Sequence, residues 1–156
     1  MKNNDIQDFL ANWVKIYIKN KDVINKSIES KDFDLIVKYK DKEEFYIIEP
    51  FIKDSNIINK LSNDKIINLV VFNSEENLNF VLDNWKRFID LKEFKIMFVN
   101  PFSELDEKWV IKPYMHHKIC DESSLKSGLK SMFSMVTSID ENKIIEKLKT
   151  KKHIYK

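Results

Sequence analysis

The chain has 156 residues, 43% hydrophobic and 33% charged, with a formal net charge of +2: enough for one domain with its own core, and without the roughly 20-residue apolar run that crosses a bilayer. Gly128 is the only glycine, so a Walker or dinucleotide-type phosphate loop is excluded. Cys120 is the only cysteine and Arg87 the only arginine, so there is no intrachain disulfide or thiolate cluster and little capacity for bidentate base readout.

Residues 5–28 read as helical, with Ile6, Phe9, Leu10, Trp13, Val14 and Tyr17 at helix spacing. Val23, Ile24 and Ile28 follow a polar break as a second short helix. Two apolar runs then flank a charged turn in FDLIVKYKDKEEFYIIEPFIK, residues 33–53, which reads as a hairpin. With a two-residue loop at Asp41-Lys42, Asp34 stands directly opposite Glu49, with Cβ atoms roughly 4.5–5.5 Å apart. A longer loop shifts this register by one or two, and a slip of one residue sends the two acids to opposite faces. Pro50 marks a strand end or bulge.

Residues 54–63 read as a short helix capped by Asp54 or Ser55. Residues 65–72, KIINLVVF, read as a strand buried on both faces. A helix over 74–91 starts at Ser74, with Glu75 and Glu76 favouring its positive end. Phe94–Val99 is a second buried strand, and strand, helix and strand make a βαβ unit. Trp109–Ile111 is a short strand, and Pro113 suits it to a sheet edge. Helices over 121–136 and 140–149 follow, with Gly128 expected to allow a close approach to a neighbouring element. The fold class is therefore α/β: a mixed sheet of about five strands with helices on both faces. Residues 1–150 form one domain, followed by a basic tail at 151–156.

Cys120 reads as a small, buried or half-buried apolar residue. His116 and His117 beside it suggest a metal, but a structural zinc takes four ligands and no fourth is evident. Read on an extended segment, the two histidines point in different directions, one exposed and the other against Tyr114 or Trp109. Trp109, Tyr114, Met115, Met132 and Met135 gather in the last third, a composition that suits self-association. Lysines could hold a nucleic-acid backbone as point charges.

Two acids at the ends of adjacent antiparallel strands are the constellation with chemical content. A helix followed by this hairpin resembles the restriction-endonuclease-like superfamily, the PD-(D/E)XK nucleases and Holliday-junction resolvases, over roughly residues 5–72. In that family an Asp opens one strand, and the next ends in Glu or Asp, one variable residue and Lys. Asp34 and Glu49 match the acidic positions. The resemblance implies that both bind Mg²⁺ through oxygen, with the metal activating water against a phosphodiester. Phe33 stands where the family has Pro, and Phe51 occupies the lysine position, leaving Lys53 as the substitute. The expectation is thus a cytoplasmic nuclease-like binding or assembly module without intact catalytic machinery. The alternative is a metal-dependent nuclease using Asp34, Glu49 and Lys53.

Overall fold

A computed structural model describes residues 3–21, 27–29 and 34–154. Helix α1, Asn3–Asn20, buries Ile6, Leu10, Val14 and Ile18, a spacing of four that sets one side chain above the next. It ends eight residues earlier than the periodicity predicts. Val23 and Ile24 lie outside the described residues, and Ile28 belongs to a strand, β1, Ser27–Glu29.

Strands β2, Leu35–Lys38, and β3, Glu43–Ile48, form the expected hairpin. Leu35 stands opposite Tyr46 and Lys38 opposite Glu43, so residues 39–42 make the connection in place of a two-residue loop at Asp41-Lys42. The Tyr39 N–H donates to the Lys42 carbonyl across it, 2.8 Å. The turn is therefore centred on Lys40-Asp41, one residue earlier than expected, and that displacement moves the register by two; no Gly or Asn pins its position.

A 3-10 helix over Ser55–Lys60 follows, and the Asp54 carboxylate accepts from the Asn56 N–H at its start, 2.9 Å. Strand β4 is Ile66–Phe72. Its Ile67, Leu69 and Val71 enter one core while Val70 and Phe72 enter the other, so both faces are covered, as its unbroken apolar run implies. Ser74 caps α2, Glu75–Asp83, by accepting from the Asn77 N–H. The helix read over 74–91 is broken at Asn84, whose Nδ2 donates to the Phe80 carbonyl, 2.8 Å. A single turn, α3, Trp85–Phe88, continues beyond the break.

Strands β5, Phe94–Val99, and β6, Lys108–Ile111, complete a six-stranded sheet in simple sequence order, one short strand more than expected. β1, β2 and β3 are antiparallel neighbours; β3, β4 and β5 run parallel; β6 returns antiparallel at the edge. The carboxyl ends of the three parallel strands therefore lie on one side of the molecule, where residues 133–139 bond to Asn73 and Asn100 beyond β4 and β5 and Glu49 follows β3.

Pro113 does more than interrupt β6. It starts a helix, α4, Pro113–Ile119, because the first helical position needs no N–H and favours proline's fixed φ. His116 and His117 are therefore helical, and the His116 ring meets Trp85 edge-on at 5.7 Å, not Tyr114 or Trp109. Cys120 is exposed, contrary to expectation, because it follows the last turn of α4 on the solvent side. Its sulfur lies 4.0 Å from His116 Nδ1.

Helices α5, Glu122–Phe133, and α6, Glu141–Ile154, close the chain. α6 continues into the segment read as a tail. A Cβ at Gly128 would meet nothing within 4 Å, so this glycine does not mediate a close approach. α1 and α6 cover one face of the sheet, and α2, α3 and α5 the other.

Candidate functional site

The site forms where the β2–β3 hairpin meets the carboxyl end of β3. Asp34 immediately precedes β2, and its Oδ2 accepts from the Ile48 N–H at 2.7 Å. β2 is too short to pair with Ile48, so the carboxylate takes the place of the missing ladder acceptor. The Ile48 carbonyl is satisfied by another side chain, accepting from Gln7 Nε2 of α1 at 2.7 Å. Two side chains thus fix the last residue of the strand.

Glu49 comes next. Its N–H still donates to Val70 of β4, 3.0 Å, so the backbone is held while the half-buried carboxylate looks out at the strand end. The displacement of two in register keeps Asp34 and Glu49 on one face, one step apart along the strands rather than directly opposed. Burial pushes the Glu49 carboxyl above the ordinary carboxylate range; the charge of Lys60 opposes that, and Asp34 and Asp54 reinforce it. Two like charges brought together out of full solvent cost free energy in the absence of a cation.

Pro50 cannot donate to the ladder, but its carbonyl accepts from the Phe72 N–H, 3.1 Å, and from Asn77 Nδ2, 2.9 Å. Asn77 is wholly buried on α2. Its second amide hydrogen goes to the Phe72 carbonyl and its Oδ1 accepts from the Ile52 N–H, each 2.9 Å. This one side chain therefore holds the segment that follows Glu49. Phe51 is 6% exposed and packs on Phe72 with ring centroids 5.4 Å apart.

Lys53 lies beyond this segment, and its ammonium donates to Glu141 at the start of α6, 2.9 Å. That bond raises the Lys53 pKa. The Lys53 ammonium is thus engaged away from the two acids. A recess of about 180 Å³ beside Glu49 is lined by Lys53, Asp54, Asn56, Ile57 and Lys60. On the other side of Lys53 a wider groove of about 440 Å³ runs past Phe51, Glu75, Asp140 and Lys143.

Asp34 lies near enough to Glu49 for its charge to act on it, and Lys60 lines the recess with Glu49. Sequence reasoning missed Lys60, Gln7 and Asn77. Lys60 carries no motif signal, since a 3-10 turn delivers it, and Gln7 depends on how α1 crosses the sheet. Asn77 was detectable in principle, as an amide on the stripe that contains Leu78 and Val81. Among the described residues no group of three or more His, Cys, Asp or Glu side chains converges on a point where they could hold a metal. The Asp34–Glu49 pair suits only an ion that keeps waters or substrate oxygens, as Mg²⁺ does. Among the described residues no helix is long and apolar enough to cross a membrane. No family model, curated protein or solved structure matches this chain.

Proposed function

We propose that the protein is a nuclease-like binding module that holds a phosphodiester chain beside a divalent cation at Asp34 and Glu49. The observation that carries this reading is the half-buried Glu49 carboxylate beyond the end of β3, open to a recess and near enough to Asp34 to feel its charge. A divalent cation would offset the desolvation of Glu49, the largest of the effects that raise its pKa and one that the charge of Lys60 does not outweigh. Asp34 would offer the oxygen not engaged by Ile48, and Glu49 its outward carboxylate. Lys60 borders the same recess as Glu49 and would supply positive charge for phosphate oxygens. Phe51 is packed into the core where the related motif has lysine, which favours binding over hydrolysis.

A second reading, metal-dependent phosphodiester hydrolysis, is favoured by Lys60, whose charge acts on Glu49 from the 3-10 turn. The cation, when bound, would lower the pKa of a coordinated water and polarise the phosphoryl group; Lys60 would stabilise the ionised Glu49.

Titration with Mg²⁺ and Mn²⁺, followed by calorimetry and by anisotropy of labelled DNA and RNA oligonucleotides, tests both. Binding that needs Glu49 without strand cleavage supports the module. Cleavage lost in both Glu49→Gln and Lys60→Gln supports the second reading. Absence of cation binding to the wild type sinks both.

A further inference from the structure

The edge strand β6 carries an inference that does not depend on the carboxylate site. Its hydrogen-bond phase is fixed by two bonds of 2.7 Å: the Asn100 N–H donates to the Glu107 carbonyl, and the Asn73 N–H to that of Val99. Backbone groups therefore face β6 from the even-numbered positions of β5 and β4 from the odd-numbered ones. Phe98 stands opposite Trp109 and Ile96 opposite Ile111. In an antiparallel ladder the direction of these groups alternates along each strand. Trp109 and Ile111 are thus turned toward β5, while the N–H and C=O of Lys108 and Val110 point away from the sheet. No described strand pairs with that side.

The open edge has defined limits. The Lys112 carbonyl is taken by the His116 N–H, 2.9 Å, and Pro113 has no donor. Lysine on an edge strand ordinarily discourages pairing, but the Lys108 ammonium lies over the Tyr17 ring, 5.5 Å from its centroid, turned toward α1. Val110 leaves 39% of its surface exposed on the same face.

We propose that β6 pairs antiparallel with β6 of a second copy of this chain, about a two-fold axis at Trp109. Such an axis, perpendicular to the sheet, keeps each side chain on its own face, so opposed residues must share a face. Pairing centred on Trp109 sets Lys108 opposite Val110 of the second copy, and Val110 opposite its Lys108. All four outward groups on each strand are satisfied, giving four hydrogen bonds between the copies. Shifting by two residues in either direction puts Lys108 against Lys108 or against Lys112, and directly opposed like charges are unfavourable. The edge is thus complementary to itself in one register.

Sedimentation velocity of the full chain over a range of concentrations tests the proposal, with Val110→Pro and Val110→Lys as variants. Proline at 110 removes an N–H that no internal bond uses, a substitution that edge strands tolerate; lysine there would face Lys108 of the second copy. The expected result is a mass that doubles with concentration in the wild type, with loss of the dimer in both variants. Amide exchange in the wild type keeps the test decisive if a variant fails to fold. Protection at Lys108 and Val110 should rise about fourfold as concentration goes from a tenth of the dimer Kd to ten times it. Trp109 and Ile111 should be protected throughout. A monomer at every concentration, a dimer that survives both substitutions, or a dimer whose Lys108 and Val110 amides stay unprotected overturns the proposal.

Discussion

Replacing Asn77 by alanine tests the link between the fold and the candidate site most directly. The side chain is fully buried and makes three hydrogen bonds to backbone, each 2.9 Å, to Pro50, Phe72 and Ile52. A neutral bond contributes about 1 kcal/mol net, so the three together are worth about 3 kcal/mol. The Pro50 carbonyl keeps the Phe72 N–H and the Phe72 carbonyl keeps the Ser74 N–H. Only the Ile52 N–H loses the partner that Asn77 gives it, which holds the loss near the simple sum. For a domain of this size each kcal/mol lowers Tm by roughly 2–4 °C, so Asn77→Ala should melt roughly 6–12 °C lower. Urea unfolding at an unchanged m-value measures the free energy itself. Asn77→Asp is the sharper variant. It retains the acceptor for Ile52 but turns a buried carboxylate toward two carbonyls, so at neutral pH it should be less stable than the alanine variant. It should recover as acid protonates it. A loss below about 1 kcal/mol for alanine, or an aspartate variant as stable as wild type at neutral pH, refutes the view that this amide holds the Glu49 segment in place.

Three other outcomes are expected. The raised Glu49 pKa means that its protonated form favours the fold: that stability is complete below its ordinary value of 4.5 and is lost as pH rises through the folded value. Glu49→Gln should therefore be more stable than wild type at neutral pH, with the gap closing below pH 4.5, and Mg²⁺ should raise the Tm of the wild type alone. Burial against Trp85 lowers the His116 pKa below 6.5, so its contribution to stability is present above pH 6.5 and lost as pH falls through the folded value; His116→Gln should flatten that slope in denaturation at stepped pH, and an imidazole titrating at or above 6.5 by NMR would contradict it. Trp109→Phe removes the bond from Nε1 to Asn73 Oδ1, 2.7 Å, in a buried setting, and should cost about 2 kcal/mol in urea unfolding.

The most legible elements were those in which local and tertiary preferences agree. β4 and β5 are β-branched or aromatic runs that could be covered only on both faces, and Ser74 announced α2 through its cap. The hairpin was legible as an object but not in its register, because YKDK contains no residue that fixes where the turn is centred. Asn84 ends α2 through a bond of its own side chain, which periodicity does not register. Pro113 supports two readings, strand breaker or helix starter, and only the packing of His116 on Trp85 distinguishes them. At the site, Asp34 and Glu49 stood out because acids bounded apolar runs. Lys60 and Gln7 did not, since their positions depend on a 3-10 turn and on the path of α1.

Asn73 has a consequence for how the molecule opens. Its Nδ2 donates to the carbonyls of Phe133 and Val136, and its own carbonyl accepts from the Ile139 N–H. The linker between α5 and α6 is thereby fastened to the end of a central strand about sixty residues earlier in the chain, although linkers of this kind ordinarily fray before the sheet does. Excursions of this linker must uncover an amide that has no other access to water, so its motions are tied to those of the whole domain. The Ile139 amide should then exchange with solvent as slowly as the amides of β4.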